Sequence, residues 1–379
     1  MNALADAAVH TGLSARRAMT ALHQDLADLN LRSGRARQCA VTTLAVALAT
    51  IVACALRVDS AWWAAISAFV STQATAPASL QRGALRIGGT AAGAMLSLLA
   101  SPFLVDDPVA LSLALLAVST AGVLGQQVSR YGYAFLLGAV TVDMVLLAAV
   151  TDPLSAPEIA CSRAAEVTIG TLAAILTSAV LAPDGDSAPS SPAPGWADLL
   201  GAQWPAVEHA LRAGVGVMLV PLVWTWLELP SLSQSAVTVA AVMAVPALSN
   251  NALADQQKII ERALHRFLGC LLGGTAGLVC LTLSVQSLLP WLLMLSACIW
   301  IAAHVQGSQL GISYIGIQGA VVFISTLVQG TGPPVSVLPG IDRLVGIIGG
   351  MVILLMVSLL TAPSSMRQSL LSSGLGPPP

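Results

Sequence analysis

Two pairs of arginines carry the first chemistry legible in this chain. Arg82 and Arg86 stand in RGALRIGGTAAG and Arg262 and Arg266 in RALHRFLGCLLG, the two arginines four residues apart in each copy. On a helix that spacing puts both guanidiniums on one face. Each is a flat fork of donors that grips a carboxylate through two bonds, and four at one mouth would concentrate anions there. The same four would also serve as positive anchors at the inner edge of a bilayer. Glycines follow each pair, Gly89 and Gly93 in one copy and Gly269 and Gly273 in the other. They suit close helix approach more than chemistry.

Asp143 is the second candidate. It stands in LLGAVTVDMVLLAAV, where no neighbour offers a positive charge. An ionised carboxylate there is costly, so the group should be protonated, paired with another helix or turned to water. Two roles fit: a proton carrier that couples transport to a gradient, or a neutral acid hydrogen-bonded inside a bundle. Tyr133 and Tyr314, with Gln126, Gln127, Gln306, Gln309 and Gln318, gather at two corresponding turns. They could line a route for an aromatic acid, the tyrosines touching it, or supply interface belts and interhelical hydrogen bonds. Glu166 follows Arg163 by three residues, the spacing of a structural ion pair.

These groups need helices to hold them, and composition says of what kind. Of 379 residues, 56% are hydrophobic and 9% charged, with mean hydropathy +0.82. Soluble domains carry about 25% charged residues, so this is an all-α membrane protein with the bilayer as its solvent. The formal net charge of −2 gives no reason to expect nucleic acid. The six cysteines form no CxxC pair and the five histidines have no zinc-ligand spacing, so neither disulfides, metal nor other cofactors are expected. Walker, HExxH and GxSxG patterns are also missing from the sequence, which argues against an enzyme.

Residues 1–38 are polar and basic, with leucines at 22, 26 and 29 that stripe one side of a helix. They read as a cytoplasmic segment, either a helix on the inner membrane surface or a solvated basic tail. Nothing in them resembles the apolar core of a cleaved signal peptide. Apolar runs follow at 39–56, 61–77, 84–101, 109–125, 132–150 and 164–182, then at 211–227, 234–249, 267–285, 289–305, 312–329 and 343–362. Some are shorter than the ~20 residues that cross a bilayer, so broken or tilted helices are expected among about twelve spans. The chain divides into a first six-helix repeat over 39–182, a cytoplasmic linker over 183–210, a second repeat over 211–363 and a cytoplasmic tail over 364–379. With the N-terminus inside, thirteen of sixteen basic residues fall on the inner side, leaving Arg57, Arg163 and Arg343 outside. The tryptophans at 62, 63, 224, 226 and 291 fall near predicted outer ends, as belt residues do.

The halves repeat at one offset. Arg82 and Arg86 map to Arg262 and Arg266, Tyr133 and Gly138 to Tyr314 and Gly319, and Arg163, Gly170 and Pro183 to Arg343, Gly350 and Pro363. Six spans per half give both halves the same topology, related by an axis along the membrane normal. The counterpart of Asp143 is Ile324, so a proton site there would have no twin.

The pattern R-x-x-G-T-x-x-G at Arg86–Gly93, preceded by Trp62 and Trp63 and set in a repeated six-helix unit, resembles the fusaric acid resistance protein family. The resemblance runs over about residues 35–365, with Cys270 in the second copy where the first has Thr90. Larger members carry a cytoplasmic domain for which this chain has only the linker. The resemblance implies export of small organic anions, aromatic carboxylic acids among them, across a bacterial inner membrane. With Asp143 as proton carrier that becomes proton-coupled export. A passive anion channel and a scaffold without flux are the alternatives. The partners expected are an organic anion and the lipid bilayer; small-residue faces fit a homodimer, though the monomer can consume them itself.

Overall fold

A chain in lipid must close its backbone hydrogen bonds within itself, and helices do so wherever this sequence turns apolar. The computed structural model describes residues 2–30, 33–182, 195–197, 199, 201, 203–227, 232–244, 252–283, 285, 287–330, 332, 333, 336 and 338–360. Residues 183–194 of the linker expected over 183–210, and all of the tail 364–379, lie outside them. In order the helices are α1 (Asn2–Ala27), α2 (Gly34–Ala55), α3 (Ala61–Ser71), α4 (Ala76–Leu104), α5 (Pro108–Val128), α6 (Gly132–Thr151) and α7 (Ala156–Leu181). There follow α8 (Trp204–Leu227), α9 (Leu232–Met243), α10 (Ala252–Thr282), α11 (Leu288–Gln306), α12 (Ser313–Leu327) and α13 (Leu338–Leu360). Helix α8 begins at Trp204, inside the stretch expected to be linker. Its polar first turns, with Glu208 and Arg212 paired four residues apart, carry the helix beyond its apolar run.

Among the described residues each apolar run falls mainly on a helix, but the runs are not equal. Among the described residues nine helices are long and apolar enough to cross a membrane: α2, α4, α5, α6, α7, α8, α10, α11 and α13. The expected spans at 61–77, 234–249 and 312–329 are instead short, with 11 residues in α3, 12 in α9 and 15 in α12. Eleven residues rise about 16 Å, roughly half the hydrocarbon thickness. The first run is cut by Thr75, whose side chain accepts from the Ala78 N–H and opens α4 with Pro77 in its first turn. All of α3 except Val70 is buried, packed among α2, α7, α12 and α4.

The packing pattern occurs twice. Helix α4 lies on α6 as α10 lies on α12, and α3 lies on α7 as α9 lies on α13. Between the two sets, α2 meets α11 as α8 meets α5, and α3 meets α12 as α9 meets α6. The closest seams are backbone on backbone. A Cβ on Gly93 would collide with the Gly138 carbonyl, and one on Gly273 with the Gly319 carbonyl. Close helix packing therefore accounts for these glycines.

Three tryptophans expected in a belt lie in the interior. Trp62, Trp63 and Trp291 are buried, and the Trp291 indole donates to the Leu327 carbonyl at 3.1 Å. Trp62 and Trp63 are interior because α3 is enclosed by α2, α4, α7 and α12, and Trp291 because its indole on α11 meets the end of α12. Trp226 is exposed, as a belt residue should be. Part of helix α1 packs on protein: Ala18 and Leu22 are buried against Val305, Ile312 and Ile315, so part of the leucine stripe faces the bundle.

Candidate transport site

Helix α3 ends inside the bundle, and its last carbonyls have no helical partners. Arg82 on α4 meets one of them, donating Nε to the Val70 carbonyl at 3.1 Å. The cation thus sits at the negative end of the α3 dipole. Its guanidinium carbon also lies 4.2 Å from the centre of the Tyr133 ring on α6. One turn on, Arg86 is buried and donates Nη1 to the Tyr133 hydroxyl at 2.7 Å.

The second set repeats this with other details. Arg262 on α10 donates Nε to the Ala241 carbonyl of α9 at 3.1 Å and lies 3.9 Å from the Tyr314 ring centre. The Tyr314 hydroxyl donates to the same carbonyl at 3.3 Å. Arg266 is buried and donates to Gln318 at 2.7 Å and to Thr238 at 3.0 Å. The six candidates Arg82, Arg86, Tyr133, Arg262, Arg266 and Tyr314 are therefore brought together as two clusters, each tying the end of a short helix to α6 or α12. Arg86 and Arg266 do not reach out to water as lipid anchors would. Each keeps a buried Nε without a hydrogen-bond partner.

Asp143 is fully buried on α6, and its Oδ2 accepts from Ser119 of α5 at 2.7 Å. Its Oδ1 is buried without a partner, and it has no ion pair among the described residues. A carboxyl with one hydroxyl donor and no cation can carry a proton at small cost to its surroundings. Gln126 crosses from α5 to donate to the Ala244 carbonyl just past α9, at 3.3 Å. Gln309 is exposed.

Arg163 and Glu166 are both buried on α7, where the spacing suggested a direct pair. Each has another partner. The Arg163 guanidinium lies over the Trp63 ring, its carbon 3.2 Å from the centre, and Glu166 accepts from the Ser60 N–H at 3.1 Å. Helix α3 starts next to Ser60, so Glu166 supplies an acceptor at its positive end. The side chain of Arg343, counterpart of Arg163, lies outside the described set.

A further polar cluster has no local signal in the sequence. Asp25 of α1 takes both terminal nitrogens of Arg35, at 3.0 and 2.6 Å, and the Ser308 hydroxyl at 2.8 Å. Its carbonyl oxygen lies 3.0 Å from His304 Nε2, and Arg35 also bonds the His304 carbonyl. Burial works to raise the Asp25 pKa, but the bonds from Arg35 and Ser308 and the charge of Arg35 outweigh it and hold the carboxyl below its ordinary value. The cluster fastens α1 and the start of α2 to the α11–α12 turn. Its partners are some 280 residues apart, and only an acid stranded in a basic segment hinted at it.

Residues 35–193 match the family model described as the fusaric acid resistance protein family. The resemblance carried by R-x-x-G-T-x-x-G is thus shown over that stretch. No curated protein and no solved structure matches the chain.

Proposed function

We propose that this multi-pass helical membrane protein, whose residues 35–193 match the fusaric acid resistance protein family, is a proton-coupled secondary exporter of small organic anions, aromatic carboxylic acids foremost. The match and the long apolar helices make it a transporter-like membrane protein. The substrate, the coupling and the outward direction are our reading. So is the architecture of two six-helix repeats with both termini on the cytoplasmic side of a bacterial inner membrane, which the twice-occurring packing pattern supports.

The observation that carries the reading is the pair of arginine–tyrosine clusters at the ends of α3 and α9. Two short helices ending inside a bundle, each with a buried guanidinium whose Nε is unused, are suited to a carboxylate passing between them. The tyrosine rings present flat apolar faces to an aromatic body. Asp143, held by one hydroxyl, supplies the proton exchange: loaded from the outer side and unloaded to the inner one, it lets protons running inward drive the anion outward.

The test is uptake of radiolabelled benzoate and larger aromatic carboxylates into proteoliposomes. Accumulation above that of protein-free vesicles, lowered at least tenfold in Arg86→Gln and Arg266→Gln proteins that insert normally, is expected. Wild-type flux in both variants would overturn the gripping role.

A further inference from the structure

Arg163 is a buried charge that the reading above leaves without a role. It is 4% exposed, with its guanidinium carbon 3.2 Å from the Trp63 ring centre. That stacking fixes the plane of the fork. Its Nε and one terminal nitrogen are buried with no hydrogen-bond partner. Unmade bonds on a buried cation are costly, and a fold gains nothing by leaving them so. Glu166, one turn on, already accepts from the Ser60 N–H.

A second buried cation bears on these donors. Helices α4 and α7 pack along each other, and the like charge of Arg86 acts on Arg163, as does the opposite charge of Glu166. Arg86 spends Nη1 on Tyr133 and keeps its own buried Nε free. Arg163 and Arg86 thus carry three buried donors without a hydrogen-bond partner on two packed helices, with Glu166 one turn from Arg163.

We propose that Arg163 and Arg86 together form a carboxylate-binding site inside the first half, Arg163 being held ready by Trp63. The site rests on the organic-anion reading and adds Arg163 to it. An incoming carboxylate takes the unused donors and relieves the repulsion between the two cations. Glu166 offsets part of the charge while the site is empty, so binding is reversible.

The test is thermal unfolding of the full chain in detergent micelles with rising sodium benzoate, against sodium chloride at equal ionic strength. A ligand that binds only the folded state raises Tm with concentration. Benzoate should raise the wild-type Tm and chloride should not; equal shifts from the two would overturn the carboxylate assignment. Arg163→Gln removes the unused donors together with the cation beside Glu166, so the benzoate shift should be lost whatever the Tm without benzoate. Arg163→Lys keeps the charge but loses the fork, and should weaken benzoate at least tenfold. Wild-type affinity in either variant overturns the site, and flux that survives in that variant shows the transport reading standing without it. If wild type neither binds nor moves any aromatic carboxylate, both fail.

Discussion

In the first half Ser119 on α5 donates to Asp143 on α6. At the corresponding places of the second half, 180 and 181 residues on, stand Ile299 and Ile324, both fully buried in one apolar cluster. Around this difference the frame is the same: a short helix, two arginines meeting its last turns, a tyrosine under the first of them and a glycine seam. The frame therefore does not require a polar pair at that spot. A buried carboxyl kept where two isoleucines serve the fold equally well points to work done by the carboxyl itself.

The comparison can be broken first at the seams. Gly93→Leu and Gly273→Leu each force a side chain into a facing backbone, at a cost of more than about 3 kcal/mol. Both should abolish the monodisperse peak on size-exclusion chromatography. Damage in only one would show that the halves are not built alike. Next comes the exchanged pair. Ile324→Asp places a carboxyl where no hydroxyl awaits it and should cost roughly 3 kcal/mol in denaturant unfolding. Asp143→Ile should stay within about 1.5 kcal/mol of wild type, since the other half tolerates isoleucine there.

The arginines sharpen the comparison at smaller scale. Arg266 makes two side-chain bonds and Arg86 one. Arg266→Gln should cost about 2–3 kcal/mol and Arg86→Gln about half that, read from the same unfolding curves. Equal losses would mean that the second side-chain bond of Arg266 contributes nothing. The smallest effect is at the α1 clamp. Asp25 is held below its ordinary value of 3.8, so its contribution is complete above that pH and is lost as pH falls through the lowered folded-state value. Protection factors for hydrogen exchange over residues 14–27 should fall on acidification in wild type, and be low and independent of that titration in Asp25→Asn.

Much of the site could be read from the chain because its signals are local. The i, i+4 arginines, the glycines after them and an aspartate in an apolar run are visible in any short window. The single offset joins Arg82 and Arg86 to Arg262 and Arg266 without a structure. What the sequence hid depends on distance and enclosure. A run of apolar residues over 61–77 does not reveal that the helix stops at Ser71, because the break is made by Thr75 capping the next helix. Trp62, Trp63 and Trp291 look like belt residues until their surroundings are known. Asp25 gives no clue to Ser308, since chain order says nothing of which distant turns meet.

The most direct test of the account is the flux of an aromatic carboxylate in proteoliposomes with and without an imposed pH gradient, for wild type and Asp143→Asn. Gradient-dependent flux in wild type that is lost in the folded Asn variant is the result predicted. Flux that ignores the gradient and survives Asp143→Asn would contradict it and make the protein a passive anion channel.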